Sequence, residues 1–177
     1  MLTFDQAMIL TRTVSSPAAF EDDECKAYFD LLMSLPAGAT ILEIGLQFGR
    51  SSSIALQVAK EKGLHYFGID PFTDPPEARE AWLAMRDKIG VPVTLYHMRS
   101  EEIGDAELPS WIDLALIDGD HSRATVRNDC YLLRRRAQSY LLFHDYGRES
   151  LPEVYAAVQE AMRFLSGGKH ITNEFSV

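Results

Sequence analysis

With 177 residues the chain has the size of one ordinary domain, long enough to bury a proper core, and no linker, repeat or low-complexity stretch divides it. A formal net charge of −9 and a pI near 5.0 exclude a broad basic surface, and with it a polyanionic partner such as nucleic acid. Two cysteines, Cys25 and Cys130, lack a metal-ligand spacing, and no secretory signal or membrane-spanning apolar run is present, so a soluble, reduced, cytoplasmic protein without a membrane partner is expected.

Residues 1–38 read as a helical preamble to this single domain, with Ser16 as N-cap, Pro17 at the first helical position, and Phe20, Tyr28, Leu31 and Leu32 as apolar positions. A first strand over 40–45 leads through a glycine loop to a helix over 51–62, and a second strand covers 65–70. A helix from about Pro76 to Lys88 turns Ala78, Trp82 and Met85 toward a sheet, and a third strand follows near 92–97. The polar stretch 99–110 loops to a fourth strand, Trp111 to Ile117, then come a helix from Ser122 to about Arg136 and a fifth strand from Tyr140 to Phe143. A helix from Leu151 to Leu165 and a last strand from about His170 complete the pattern. Alternating strands and helices imply an α/β, doubly wound, mostly parallel sheet with helices on both faces, in the order 3-2-1-4-5 plus the last strand. Ligands of such sheets bind outside the carboxyl ends of the strands, where the chain reverses direction between strands one and four.

Two constellations fall at that edge. The glycine loop reads Glu43-Ile44-Gly45-Leu46-Gln47-Phe48-Gly49-Arg50-Ser51, and about twenty residues later an apolar run stops at Asp70. A dinucleotide fingerprint would place a glycine where Gln47 stands, and Glu43 would repel a pyrophosphate. The same carboxylate suits the ammonium of S-adenosylmethionine, and Asp70 can accept from the two ribose hydroxyls of an adenosine. The second constellation is Asp118-Gly119-Asp120-His121 after strand four and His144-Asp145-Tyr146 after strand five. Asp118 and Asp145 suit a hard divalent cation, with His144 as a further ligand or a partner behind the ligands. His121 is placed to act as a general base on a neighbouring hydroxyl. Against this stands the plainer reading that polar residues cap strand ends and helix starts. Asp129 lies on an apolar helical stripe with Val126, Cys130 and Leu133, where a carboxylate needs a partner, either backbone amides or the ligand network. Arg134-Arg135-Arg136 reads as a solvated helix end, and His65, His97 and His170 as ordinary residues.

From about residue 38 to 165 these motifs, with Leu151-Pro152-Glu153-Val154, resemble the class I S-adenosylmethionine-dependent methyltransferases, which have a Rossmann-like fold. The nearer branch is that of metal-dependent small-molecule and sugar O-methyltransferases. The resemblance implies that Glu43, Gly45 and Gly49, with Ser51 in the same loop, hold the methionine portion. It places Asp70 on the ribose, Ser100 near the adenine and Asp118 beside the cofactor. Asp118 and Asp145, with His144, would bind Mg2+, and His121 would be the base that activates a hydroxyl of a small-molecule acceptor. Phe72, Trp111 and Tyr146 are candidates to stack on that acceptor, or else packing residues. Arg136-Ala137-Gln138-Ser139 stands where such folds have a Pro-Gly-Gly turn, and the final antiparallel hairpin looks incomplete, which suggests an edge completed by a homodimer partner. Two rivals are a binding protein that holds the cofactor without catalysis and a nicotinamide-dependent oxidoreductase.

Overall fold

The computed structural model describes residues 1–14, 20–104, 106–134 and 136–163. The expected cap at Ser16 and Pro17, Arg135 and the strand from His170 lie outside these residues. The described elements run α1 Phe4–Val14, α2 Asp22–Ser34, β1 Thr40–Ile44, α3 Arg50–Lys62, β2 His65–Ile69 and α4 Ala78–Ile89. There follow β3 Val93–Tyr96, a single 3-10 turn Ser100–Glu102, β4 Ile112–Ile117, α5 Arg123–Leu133, β5 Ala137–Phe143 and α6 Pro152–Met162. All strand pairs are parallel, in the expected order β3-β2-β1-β4-β5.

Strand alternation sends side chains into two separate cores. Ile41, Leu114, Leu116 and Leu142 pack with α1 to α4 on one face, around Tyr28, Leu32, Ile54 and Trp82. Leu42, Ile44, Ala115, Ile117 and Phe143 pack on the other face with Val126, Cys130 and Leu133 of α5 and Val154, Ala157 and Val158 of α6. Near-continuous apolar strands covered on both faces are what a parallel sheet requires.

The helical preamble comprises α1 and α2, and α2 starts at a Glu21 N-cap reinforced by a reciprocal bond with Glu24. Two boundaries differ from expectation. β5 begins at Ala137, because the backbone of Arg136 already accepts from Ile112 N–H and starts the ladder there. α5 accordingly ends at Leu133, so Arg134 and Arg136 follow the helix, Arg134 lying over the Tyr131 ring. No helix among the described residues is long and apolar enough to cross a membrane.

Candidate active site

Parallel strands end on one edge, and β1 and β4 diverge there because the chain winds to opposite sides of them. A cavity of about 470 Å³ opens at that point, within the range of small-molecule sites. Gly45, Gly49, Ser51, Asp70, Ser100, Asp118, His121 and Asp145 all line it, as do Phe20, Gln47, Arg50, Arg99, Thr125, Asp129 and Arg148.

The glycine loop hugs the neighbouring strand. Gly45 has φ +89°, and a Cβ on it would lie 2.0 Å from the Asp118 carbonyl oxygen. No rotamer change relieves a clash between backbones, so Gly45→Ala is expected to destabilise by at least about 2 kcal/mol. A thermal unfolding scan should show a midpoint lowered by roughly 4–8 °C; a midpoint within about 1 °C of the parent would mean that the loop has room to move away from β4.

Asp70 organises the same loop. Its Oδ2 accepts from the backbone N–H of Leu46 at 2.6 Å and of Gln47 at 2.9 Å, and its Oδ1 accepts from Phe72 N–H. The carboxylate expected to meet a ribose is therefore already engaged by three amides, which leaves Oδ1 the freer oxygen.

Glu43 does not line the cavity, contrary to expectation. It lies one residue before the end of β1, on the same strand face as Ile41, so its side chain points under α3 and away from the crevice. There it is fully buried and accepts from Tyr28 OH at 3.0 Å, Ser52 Oγ at 2.6 Å and Tyr66 OH. Burial raises its pKa, against the lowering effect of these three bonds. Its observed contacts anchor β1 to α2, α3 and β2.

At the other wall the two acidic strand ends meet. His121 Nε2 is 2.9 Å from Asp145 Oδ2, and Arg148 Nη1 is 2.5 Å from Asp145 Oδ1. Asp145 is buried at φ +60°, and despite that burial the neighbouring His121 and His144 rings hold its pKa well below the usual carboxylate range. His121 is half-exposed, and the Asp145 hydrogen bond raises its pKa above 6.5 against the opposing effect of burial. Asp118 is raised, chiefly by burial.

His144, expected among the metal ligands, sits behind this pair. Its Nδ1 lies 3.0 Å from Asp118 Oδ1 and 3.1 Å from Asp145 Oδ2, directed squarely at neither, and its Nε2 lies 3.3 Å from Glu24 of α2. Phe20 covers the ring at 5.3 Å. Burial disfavours the imidazolium, yet three surrounding carboxylates push its pKa up to about 12. The donor atoms that converge within 4.8 Å are instead those of Asp118, His121 and Asp145. Two carboxylates and an imidazole fit a divalent cation, although a ligand set with one nitrogen is less particular to magnesium than an all-oxygen one.

Glu24 and Phe20 were not singled out from sequence as site residues. An acid in the first turn of a helix and an apolar residue before it are ordinary, and neither carries a signal of the contact with residue 144. The aromatic candidates mostly serve packing. Phe72 is buried against Trp82 and His97, Tyr146 stacks on Tyr155 at 5.3 Å, and the exposed Trp111 precedes β4 at the amino end of the sheet. His97 Nε2 lies 3.0 Å from the Pro71 carbonyl.

Residues 42–146 match the protein family described as Methyltransferase domain. An uncharacterised protein of Acanthamoeba polyphaga mimivirus is 30% identical over 148 residues, covering 78% of this chain and 66% of that protein. Among solved structures, an S-adenosylmethionine-dependent O-methyltransferase from Thermotoga maritima superposes with a TM-score of 0.61 at 12% identity, over 90% of this chain and 56% of that one. Phosphoethanolamine N-methyltransferase 2 of Haemonchus contortus, in complex with S-adenosyl-L-methionine, gives 0.58 at 16% identity, over 93% of this chain and 41% of the other. The chain thus spans about half the length of these two structures, and at such identities the likeness is one of fold.

Proposed function

Because the chain belongs to the methyltransferase-domain family, we propose that it binds S-adenosylmethionine in the cavity at the β1–β4 divergence and methylates a hydroxyl oxygen of a small molecule. The observation that carries the oxygen assignment is the His121–Asp145 pair on the cavity wall, 2.9 Å apart and beside the glycine loop. A neutral hydroxyl is a poor nucleophile until a base removes its proton, and a half-exposed imidazole held by a buried carboxylate is built for that.

Gly45 and Gly49 let the loop backbone approach the methionine portion, with Ser51 on the same wall. Asp70 offers its freer oxygen to the ribose, Ser100 faces the base and Asp118 flanks the cofactor. Bound there, S-adenosylmethionine supplies an electrophilic methyl group for in-line transfer to the aligned oxygen. Asp145 keeps the proton of His121 on Nε2, so that Nδ1 carries the basic lone pair. Asp118 and Asp145 are the carboxylates that would hold Mg2+ or a similar cation, which would add positive charge beside the hydroxyl and ease its ionisation. The protonated His144, 3.0 to 3.1 Å from both carboxylates, already supplies part of that charge.

Calorimetric titration with S-adenosylhomocysteine in magnesium buffer tests the reading. Binding at micromolar Kd is expected; no heat at several temperatures, or micromolar binding of NADH instead, would overturn it.

A further inference from the structure

Asp145 divides its two oxygens between different partners. Oδ2 lies 2.9 Å from His121 Nε2 and 3.1 Å from His144 Nδ1, whereas Oδ1 accepts from Arg148 Nη1 at 2.5 Å. Arg148 reaches that oxygen because the chain folds back after β5, where Gly147 takes φ +86° and the Arg148 N–H donates to the Asp145 carbonyl at 3.2 Å. The Leu151 N–H then donates to the Arg148 carbonyl at 2.9 Å. The backbone on both sides of this side chain is thereby fixed.

A guanidinium carries five donors in a planar fork, and an arginine committed to structure uses several of them. Arg50, on the same cavity, is 8% exposed and spends Nε on the Phe20 carbonyl and Nη2 on Asp22. Arg148 spends only Nη1. Its side chain lines the cavity and is 53% exposed, and among the described residues nothing takes its other donors. Those donors stand one carboxylate away from His121, so a ligand whose hydroxyl meets the imidazole brings its neighbouring atoms against the arginine. Forked N–H groups that share a full positive charge match an oxyanion and gain little from a neutral group.

We propose that the free edge of Arg148 binds a carboxylate or phosphate group on the acceptor, so that the substrates of this site are hydroxy acids or hydroxylated phosphate esters rather than neutral alcohols. This rests on the methyl-transfer reading above. Asp145 fixes the guanidinium through one oxygen and, through the other, the ring that takes the hydroxyl proton. The spacing between anion and hydroxyl in the acceptor is set by that one carboxylate.

The test uses the full chain saturated with S-adenosylhomocysteine in metal-free buffer, where no cation can hold an anion in place of Arg148. Calorimetric titrations compare 2-hydroxybenzoate and glycerol 3-phosphate with their neutral counterparts, 2-hydroxybenzamide and glycerol. At least one of the two anions should bind about 5-fold or more tighter than its counterpart, and which one does so separates a carboxylate site from a phosphate site. The preference should shrink as salt is raised. In Arg148→Gln it should disappear, while the affinities for the neutral compound and for S-adenosylhomocysteine stay within about 2-fold of the parent; Arg148→Lys, which keeps the charge without the fork, should retain part of it. No preference for either anion in the parent, undetectable binding included, overturns the inference and leaves the cofactor reading standing. A preference that survives Arg148→Gln also overturns it, since Arg148 would then be a surface ion pair and nothing more. Failure of the parent to bind S-adenosylhomocysteine overturns the cofactor reading and this inference with it.

Discussion

Replacing His121 with Ala should lower methyl transfer by about 100- to 10,000-fold and leave the affinity for S-adenosylhomocysteine within a few-fold of the parent. The imidazole lines the cavity, and its Nε2 is tied to Asp145, so its loss would remove the proposed proton acceptor without opening the glycine loop. The pH profile gives a second reading. Asp145 stabilises the imidazolium and raises the His121 pKa above 6.5, so the active neutral form accumulates only at higher pH. Turnover should rise through a limb displaced above that value. An Ala variant that keeps parental turnover on a hydroxylated acceptor would remove His121 from the chemistry and favour a protein that binds the cofactor without using it.

His144→Ala should destabilise the fold by about 3–5 kcal/mol, because removing one partner of a buried ionic cluster leaves the others uncompensated. Glu24, Asp118 and Asp145 would then face one another with the imidazolium gone. For a chain of this length the thermal midpoint should fall by roughly 6–20 °C. The parent should also show the pH signature of this residue in metal-free buffer. A histidine whose folded pKa is raised from 6.5 to about 12 binds a proton in the native state that the unfolded chain releases. Its contribution is complete below about pH 6.5 and declines as the pH rises toward 12. Urea midpoints measured across that window should fall in the parent and flatten in the Ala variant. Parallel profiles would show that residue 144 is neutral in the folded protein.

Much of the site is legible in sequence because parallel sheets deliver strand ends to one edge. Two apolar runs ending in Asp118 and His144-Asp145, with His121 three residues on, could meet only where β4 and β5 stop. The buried stripe of Val126, Asp129, Cys130 and Leu133 follows directly from helical periodicity. The contacts of Glu43 were not legible in sequence for a geometric reason. Its chemistry suits an ammonium, but a strand residue serves the face its parity assigns, and that face holds Tyr28, Ser52 and Tyr66. The place of His144 behind the acidic pair was equally hidden. It depends on Glu24, which arrives from a helix 120 residues away in sequence and serves as an ordinary capping-box acid in its own turn.

Asp70 links two positions of backbone strain. Gln47 and Phe72 take positive φ without being glycine, at 44° and 47°, and both donate their amides to that one carboxylate. Conformations of this kind cost on the order of 1–3 kcal/mol each and persist only where the surroundings hold them. The loops on either side of the cofactor cavity are therefore set during folding rather than at the moment of encounter. Cofactor capture should accordingly proceed as a single second-order step, its observed rate rising linearly with ligand concentration and showing no plateau from a loop that must first rearrange.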